Sequence, residues 1–480
     1  MEPMDTPEQE LASILQGMKA KTSGEGPPDA SVRIDRLDRC IGLLVDHQDA
    51  LIDAMAEDFG TRAREASRLT DIAASIGALK HARAHVRRWM RPERVSPTPA
   101  LLGLFGARAR IEAKPKGVVG LIAPWNFPVF LVFGPLAGIL AAGNRAMIKP
   151  SELTPRTSAL LKALIEGVFA PDEVVVVTGG SDVGQAFAAQ AFDHLVFTGG
   201  ARVGRMVLAA AAKTLTPVTL ELGGKCPAIV SSGADLGVAA ARIMNGKTLN
   251  AGQICLAPDY ALVPADQVEA FADAASRAAA AMFPQLTDSP DYASIIDARS
   301  FSRLAAYVED ARAKGARVLE LRPAGQPPAR PETRRFPPTL ILDATPEMAV
   351  MQEEIFGPIL PVVAYDQIED AVAHVNSRDA PLALYWFGSD RREKDFVLSH
   401  TRSGGVTIND VIFHVAQEGL PFGGFGPSGF GAYQGRDGFL EFSHRRSIFE
   451  QVPFELGPLR DLRPPFGLAI RKYLDGRIRR

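Results

Sequence analysis

The sequence predicts an α/β protein organised around a doubly wound parallel sheet. Three observations lead there. Short apolar runs alternate with helically patterned stretches from about residue 117 to 224, which calls for parallel strands covered on both faces. Glycines and polar residues collect where the apolar runs end, at Asn126, Lys149, Glu152, Gly179, Gly199 and Gly200. That is where such a sheet takes its ligand. The chain has 480 residues, enough for two or three domains.

In chain order, the first stretch, "MEPMDTPEQELASILQ", is acidic and polar, without the basic and apolar blocks of a signal peptide. Residues 21–30, "KTSGEGPPDA", read as a flexible connector. Helical patterning follows from about 31 to 92. Residues 117–143 carry no charge and have the length and apolarity of a membrane helix. Pro124, Pro128 and Pro135 argue against one helix, because each removes a backbone hydrogen bond. The stretch reads instead as a buried strand over 117–123, a turn at "PWNFP" and a buried helix ending at Gly143.

"RAMIKP" is then a short strand. "TPRTSALLKALIEGVF" is a helix with Thr154 as its cap and Pro155 at its first position. "EVVVVTGG" and "DHLVFTGG" are strands ending in glycines, "ARVGRMVLAAAAKTL" is a helix, and "TPVTLELGG" is a further strand. After residue 225 a second α/β pattern runs to about 420, interrupted by the surface loop "RPAGQPPARPETRRFPP". The last 50 residues, rich in aromatics, Gly and Arg, read as an arm or tail. No internal repeat is visible.

Composition narrows the function. A net charge of −2, with both signs interspersed, gives no electrostatic basis for a nucleic-acid partner. Three cysteines, Cys40, Cys226 and Cys255, cannot form a disulfide framework and point to a reducing compartment, the cytoplasm. His81 and His85 have the i, i+4 spacing of helix-borne metal ligands, but they sit among arginines and lack the intervening Glu of the zinc-protease motif. A solvated basic face is expected and no metal. The terminal "GLAIRKYLDGRIRR" suits a membrane surface or a partner subunit, and is too short and charged to span a bilayer.

One thiol is placed unlike the others. Cys255 lies in "NAGQICLAPDY", where small and polar residues let backbone N–H groups approach. A thiol is nucleophilic only as thiolate, so such surroundings matter. Cys40, on an amphipathic helix, and Cys226, after "LELGGK", read as packing residues. Glu221 closes an apolar strand, where partial burial raises a carboxyl pKa toward that of a general base. A thiol, a carboxylate, an amide and glycine turns together suggest covalent catalysis.

These residues lie within short motifs that resemble, in order and spacing, the NAD(P)-dependent aldehyde dehydrogenase family across nearly the whole chain. They are "PWNFP" (124–128), "IKPSE" (148–152), "FTGG" with Gly204 (197–204), "LELGGK" (220–225), "GQIC" (252–255), "EEIFGP" (353–358) and "LPFGGFGPSG" (420–429). "CLAPDY", "PRTSALL" and "KTLTPVTLELGGK" resemble the class 3 branch. "RLDRCIGLLVDHQDALIDAMAEDFG" and "HVAQEGLPFGG" are most similar to its coniferyl aldehyde dehydrogenases.

The resemblance implies a role for each position. Cys255 would attack the aldehyde, giving a thiohemiacetal and then a thioester. Asn126 and the Cys255 N–H would hold the oxyanion, and Glu221 would activate the hydrolytic water. Trp125, Lys149, Ser151, Glu152, Gly199, Gly200, Val203, Gly204, Leu222, Glu354 and Phe356 would bind the cofactor, preferentially NAD with NADP as the alternative. Many relatives carry a hydroxyl or amide where this chain has Gly200, so one side-chain bond to phosphate is lost. Phe127, Phe130, Leu131, His414 and Phe422 would line the substrate tunnel, joined by Phe413; no metal is implied.

The family architecture implies a cofactor-binding domain over 1–94 and 115–223 and an α/β catalytic domain over 224–420. Bridging or oligomerisation segments would cover 95–114 and 421–480, with a homodimer as the assembly. Aromatic walls favour flat aldehydes such as coniferaldehyde, with medium- or long-chain aliphatic aldehydes as the alternative. Transfer of the acyl group to coenzyme A, and a non-enzymatic role on an enzyme fold, are the competing classes. Glu221 argues against the first, and the intact set Cys255, Glu221 and Asn126 against the second.

Overall fold

The strand-forming runs between 118 and 221 pair into one sheet in the computed structural model, which describes residues 7–98, 100–286, 288–323, 325–326 and 331–479. From edge to edge its strands are Gly429–Phe430, Val218–Glu221, His194–Thr198, Val118–Ile122, Arg145–Lys149 and Val174–Val176. All neighbours are parallel except the first pair, in which Gly429 opposes Glu221. The chain enters at Val118–Ile122, winds outward to Val174–Val176, and returns to the other side at His194–Thr198. The order therefore reverses beside Val118–Ile122, and a crevice opens at the carboxyl ends of the strands on either side of that reversal.

The uncharged stretch divides as its prolines require. After the strand and the "PWNFP" turn, the helix Phe130–Ala142 is buried on every side, and it ends at Gly143 with φ 91°, a left-handed position that suits glycine. Among the described residues no helix is long and apolar enough to cross a membrane.

Three local expectations are corrected. The helix Pro7–Glu25 overruns the connector expected at 21–30. Leu11, Leu15 and Met18 pack into the core of the first sheet, and that anchoring carries the helix through the polar "KTSGE". Thr154 occupies the cap position of the helix Pro155–Val168, but its buried hydroxyl makes no hydrogen bond among the described residues. The open N–H groups of Arg156 and Thr157 are taken by Asp58, at 3.0 and 2.9 Å. The strand in "EVVVVTGG" is confined to Val174–Val176.

The second α/β pattern forms a seven-stranded sheet in the order Arg317–Glu320, Thr339–Leu342, Ile359–Tyr365, Tyr260–Pro264, Pro227–Val230, Ala383–Phe387 and Gly405–Ile408. Only its first pair is antiparallel. Its core gathers Tyr260, Leu262, Tyr292, Leu304, Ile341, Ile359 and Trp386. Residues 324 and 327–330 of the loop expected between 322 and 338 lie outside the described residues. Both sheets belong to one unit, made of the described parts of 1–89 and 115–443. A second unit, from 90–114 and 444–480, is built on a three-stranded sheet of Glu93–Val95, Arg108–Pro115 and Ser443–Glu450.

Asp58→Ala should lower the urea unfolding midpoint by the equivalent of about 1–2 kcal/mol, the usual worth of a helix cap. Thr154→Val should leave the midpoint unchanged or raise it, because it removes a buried hydroxyl that bonds to nothing. Equal losses from both would show that Thr154 is the cap after all.

Candidate active site

Cys255 follows a turn that few sequences tolerate. Asn250, Ala251 and Gly252 lie consecutively in the left-handed region, at φ 48°, 52° and 72°. A left-handed conformation costs an ordinary residue about 1–2 kcal/mol, so the surroundings must hold it. Gln253 does most of that. Its side chain donates to the carbonyls of Asn250 and Ser294, at 2.9 and 3.1 Å, and accepts from the Ile296 N–H at 2.9 Å. Gly252 is required for a second reason: a Cβ there would lie 2.4 Å from the Gly357 carbonyl oxygen. The small residues around Cys255 thus serve a tight, left-handed turn.

Asn126 is tied to that turn. Its side-chain Nδ2 donates to the Gln253 carbonyl at 3.2 Å. An amide nitrogen carries two hydrogens, so one N–H remains to meet a charge developing beside Cys255. The Asn250 side chain donates to the Asn126 carbonyl at 3.1 Å and so ties the two loops together from the other side.

Glu221 ends its strand fully buried, and neither carboxylate oxygen has a hydrogen-bond partner among the described residues. Burial raises its pKa to about 7, against the opposing pull of the Cys255 thiol and the Thr198 hydroxyl. Burial likewise lifts the Cys255 thiol well above the usual range, and the negative charges of Glu221 and Glu354 lift it further. Two buried acids this close hold one proton more readily than they release both. At rest the proton sits on sulfur, and Glu221 is the base that can take it. Cys40 and Cys226 are completely buried, and their thiols are held protonated by the same desolvation. Cys255 alone keeps some exposed surface.

Glu354 stands over the same centre. One of its oxygens is buried without a partner among the described residues, and burial raises its pKa to about 8. Three residues to which the resemblance gave no role, Lys225, Asp259 and Lys247, lie beside it. Lys225 donates to the Val350 and Glu353 carbonyls at 2.9 Å each and pairs with Asp259. Asp259 accepts the Ile355 N–H at 3.0 Å, and the buried Lys247, its pKa lowered by burial to about 8, lies 3.9 Å from the same carboxylate. Phe356 meets Trp125 edge to face at 5.4 Å.

The crevice of the first sheet carries the remaining candidates in two groups. Lys149, almost fully buried, pairs with Glu152 at 3.0 Å, and Ser151 accepts the Leu153 N–H beside them. Gly199 and Gly200 precede the helix Ala201–Ala212, whose first turn includes Val203 and Gly204. A Cβ on Gly199 would strike the Phe197 ring at 2.7 Å, and one on Gly204 would strike Leu222 at the same distance, whereas one on Gly200 would meet nothing. The helix start is therefore closely backed and open in front, which suits an anionic group. That opening, the orphaned Glu354 oxygen and the Lys149–Glu152 pair fit a dinucleotide.

The tunnel candidates separate. Phe127 lines a cavity of about 150 Å³ with Arg62, Thr70, Asn245, Leu249, Asn250 and Phe283. His414 and Phe422 form another aromatic group, 6.1 Å apart, with His414 bonded to Thr407 at 2.8 Å and its pKa lowered by burial to about 4. Leu131 is buried, Phe130 borders a small crevice with Tyr433, and Phe413 is exposed. His81 and His85 stack on each other at 4.3 Å, and no cluster of metal-ligating side chains occurs among the described residues.

The aldehyde dehydrogenase family profile matches residues 9–448. A Caulobacter vibrioides protein named probable coniferyl aldehyde dehydrogenase is 59% identical over 98% of this chain and 97% of its own length. The coniferyl aldehyde dehydrogenase of a Pseudomonas species is 50% identical, over 97% and 96%. Among solved structures, the substrate-bound state of Staphylococcus aureus AldH superposes with a TM-score of 0.91 at 34% identity, covering 99% of this chain and 100% of that one. Mycobacterium tuberculosis aldehyde dehydrogenase complexed with NAD+ gives 0.82 at 27%, covering 95% and 92%.

Iodoacetamide should modify Cys255 well before Cys40 or Cys226, because only its thiol is reachable. The rate should still be climbing past about pH 8.5, the ordinary thiol pKa, since burial keeps the sulfur protonated. Peptide mass spectrometry over a pH series reads both. Earlier labelling of Cys226, or a plateau near neutrality, would contradict this picture of the site.

Proposed function

The chain belongs to the aldehyde dehydrogenase family and is an enzyme that oxidises aldehydes, and we propose that its substrates are aromatic enals of the coniferaldehyde type, with NAD+ as the oxidant. One observation carries the assignment of the chemistry: a reachable thiol, Cys255, faces a buried and unpartnered carboxylate, Glu221, while an amide N–H of Asn126 stays free beside them.

Glu221 takes the thiol proton, and the sulfur adds to the aldehyde carbon to give a thiohemiacetal. The second Asn126 N–H and the Cys255 N–H hold the oxyanion; in related acyl chemistry one such donor is worth about 2.7–4 kcal/mol. When bound, the nicotinamide supplies the acceptor for the hydride that leaves this adduct, and a thioester remains on Cys255. Glu221 passes the thiol proton to solvent and then draws a proton from water; the resulting hydroxide adds to the thioester, and the carboxylic acid leaves as the sulfur takes the proton back from Glu221. A base poised for water supports hydrolysis over transfer to coenzyme A.

Glu354 would hold the nicotinamide ribose, with Trp125, Leu222 and Phe356 packing nearby. The open helix start at Gly200 would take the pyrophosphate, with Gly199, Val203 and Gly204 beneath it. Lys149 and Glu152 would hold the adenosine ribose, with Ser151 beside them. The Glu152 carboxylate accepts from a 2′-hydroxyl and repels a 2′-phosphate, which supports NAD over NADP. On this reading 1–94 and 115–223 bind the cofactor, 224–420 carry the nucleophile, and 95–114 with 421–480 bridge to a second subunit. Exposed Phe449, Phe454, Phe466, Leu468 and Ile478 support such a homodimer. Free cysteines support a reducing, cytoplasmic setting.

Two features support an aromatic substrate. Relatives named for coniferyl aldehyde are 59% and 50% identical. The cavity of about 150 Å³ beside Phe127 also matches a single ring flanked by Phe283 and Leu249. Burying that ring gains roughly 25 cal/mol per Å² of apolar surface. Coniferaldehyde and cinnamaldehyde should therefore be turned over with at least tenfold higher kcat/KM than acetaldehyde. Absorbance of the reduced cofactor measures it, and better turnover of acetaldehyde or of long saturated aldehydes would overturn the substrate reading while leaving the chemistry intact.

Glu221 gives a sharper test. Its carboxylate form grows as pH rises through about 7, so steady-state turnover should rise through the same range and then level. Glu221→Gln should abolish that dependence, slowing the burst of reduced cofactor as well as the turnover that follows it. Normal turnover would place the water-activating base elsewhere. A burst at the wild-type rate would show that another group deprotonates Cys255.

A further inference from the structure

Beneath Asn126 lies a buried ion pair that the steps above do not use. Arg62 and Asp71 are almost fully enclosed and meet at 2.7 Å. A second arm of the guanidinium, Nη1, donates to the backbone carbonyl of Asn126 at 2.8 Å, and its Nε donates to the Ser67 hydroxyl at 3.1 Å. The Phe59 and Phe127 rings lie 4.6 and 5.2 Å from it. The other Asp71 oxygen accepts the N–H groups of Val129 and Phe130, at 3.1 and 3.2 Å, at the start of the helix Phe130–Ala142. The pair therefore grips the "PWNFP" turn on both sides of Phe127 and Pro128.

The helix that brings Asp71 there is irregular. Arg68–Ala73 is a π-helical turn between the α-helical Arg64–Ser67 and Ala74–Trp89. Such turns are rare, and they occur frequently at functional sites because they redirect side chains. Stability alone does not call for this arrangement, since well-packed apolar residues of the same size are often as stabilising as a buried ion pair. A planar fork offers what they cannot: fixed directions for several hydrogen bonds at once.

We propose that Arg62 and Asp71 are the positioning pair of the oxyanion donor. They hold the Asn126 backbone so that its one free side-chain N–H meets the oxygen of the thiohemiacetal. The inference rests on the reading of Asn126 as that donor. Asn126 Nδ2 already spends one hydrogen on the Gln253 carbonyl, so the direction of the other is set by where its backbone is held. Displacing a reacting group by about 1 Å costs on the order of 100-fold in rate.

The test replaces the pair with apolar residues of similar volume, Arg62→Met with Asp71→Leu, which leaves no lone charge buried. NAD+ binding, followed by quenching of tryptophan fluorescence, should persist. The pre-steady-state rate of reduced-cofactor formation should fall by about 10- to 100-fold. On an Asn126→Ala background the same double change should slow the reaction no further, because the pair acts through Asn126. A wild-type rate in the double variant, or a multiplicative loss on the Asn126→Ala background, overturns the inference. A wild-type rate in Asn126→Ala alone overturns instead the reading of Asn126. Arg62→Lys keeps the charge but replaces the fork with a single ammonium, and it supplies the same comparison should the double variant fail to fold.

Discussion

The site depends on one electrostatic constraint: a thiol and a carboxylate share a space too poor in water for both to ionise. Desolvation raises Glu221 to about 7 and carries Cys255 well above its ordinary range. Burial makes each group a poor acid, and the carboxylate charge of Glu221 raises the thiol further, which makes the pair useful. Glu221 is basic enough to take a proton near neutrality, and the thiolate it produces is poorly solvated and therefore a strong nucleophile. The remaining features of the site exist to bring these two groups together and to keep them dry.

Each sheet supplies one half. Glu221 is fixed as the last residue of a strand, with Thr198 beside it on one neighbour and Gly429 opposite on the other. The nucleophile comes from irregular backbone just before Tyr260–Pro264 of the second sheet. Strain at Asn250 and Ala251 is held by Gln253 from within the turn and by Asn126 from outside it. The oxyanion donor and the nucleophile are thus parts of one hydrogen-bonded assembly, which a static arrangement of donors requires if it is to avoid reorganising during reaction.

What the sequence made legible follows from the range of the interactions involved. Strand–helix alternation and proline placement are local signals, and they locate the first sheet, the "PWNFP" turn and the helix that follows it. Short motifs likewise point to Cys255, Glu221 and Asn126. Long-range partners stay hidden. Nothing near Thr154 says that Asp58 caps its helix, and nothing in "KTSGE" says that Leu11, Leu15 and Met18 have already anchored the helix before it. Nothing in the helical patterning of 31–92 sets Arg62 and Asp71 apart; only the fold buries them under Asn126. Gln253 stands inside a quoted motif, yet its service to the left-handed turn appears only when Ser294 and Ile296 are brought beside it. Gly200 is the converse: the sequence marks it as a departure, and the structure gives no packing reason for glycine there.

The same constraint sets a limit on stability. Glu221 and Glu354 have folded-state pKa values of about 7 and 8 against an ordinary value of 4.5. Between those limits the folded chain binds more protons than the unfolded one, so their contribution to stability is complete below about pH 4.5 and is lost as pH rises through 7 and 8. The rise in pH that arms Glu221 as a base therefore also loosens the fold around it. Lys225 and Asp259 restrain the segment that carries Glu354, and Gln253 restrains the turn that carries Cys255. Their bonds lie where the charged form of the site most needs support. A site of this kind is stable enough to work because its scaffold offsets the charge that its chemistry creates.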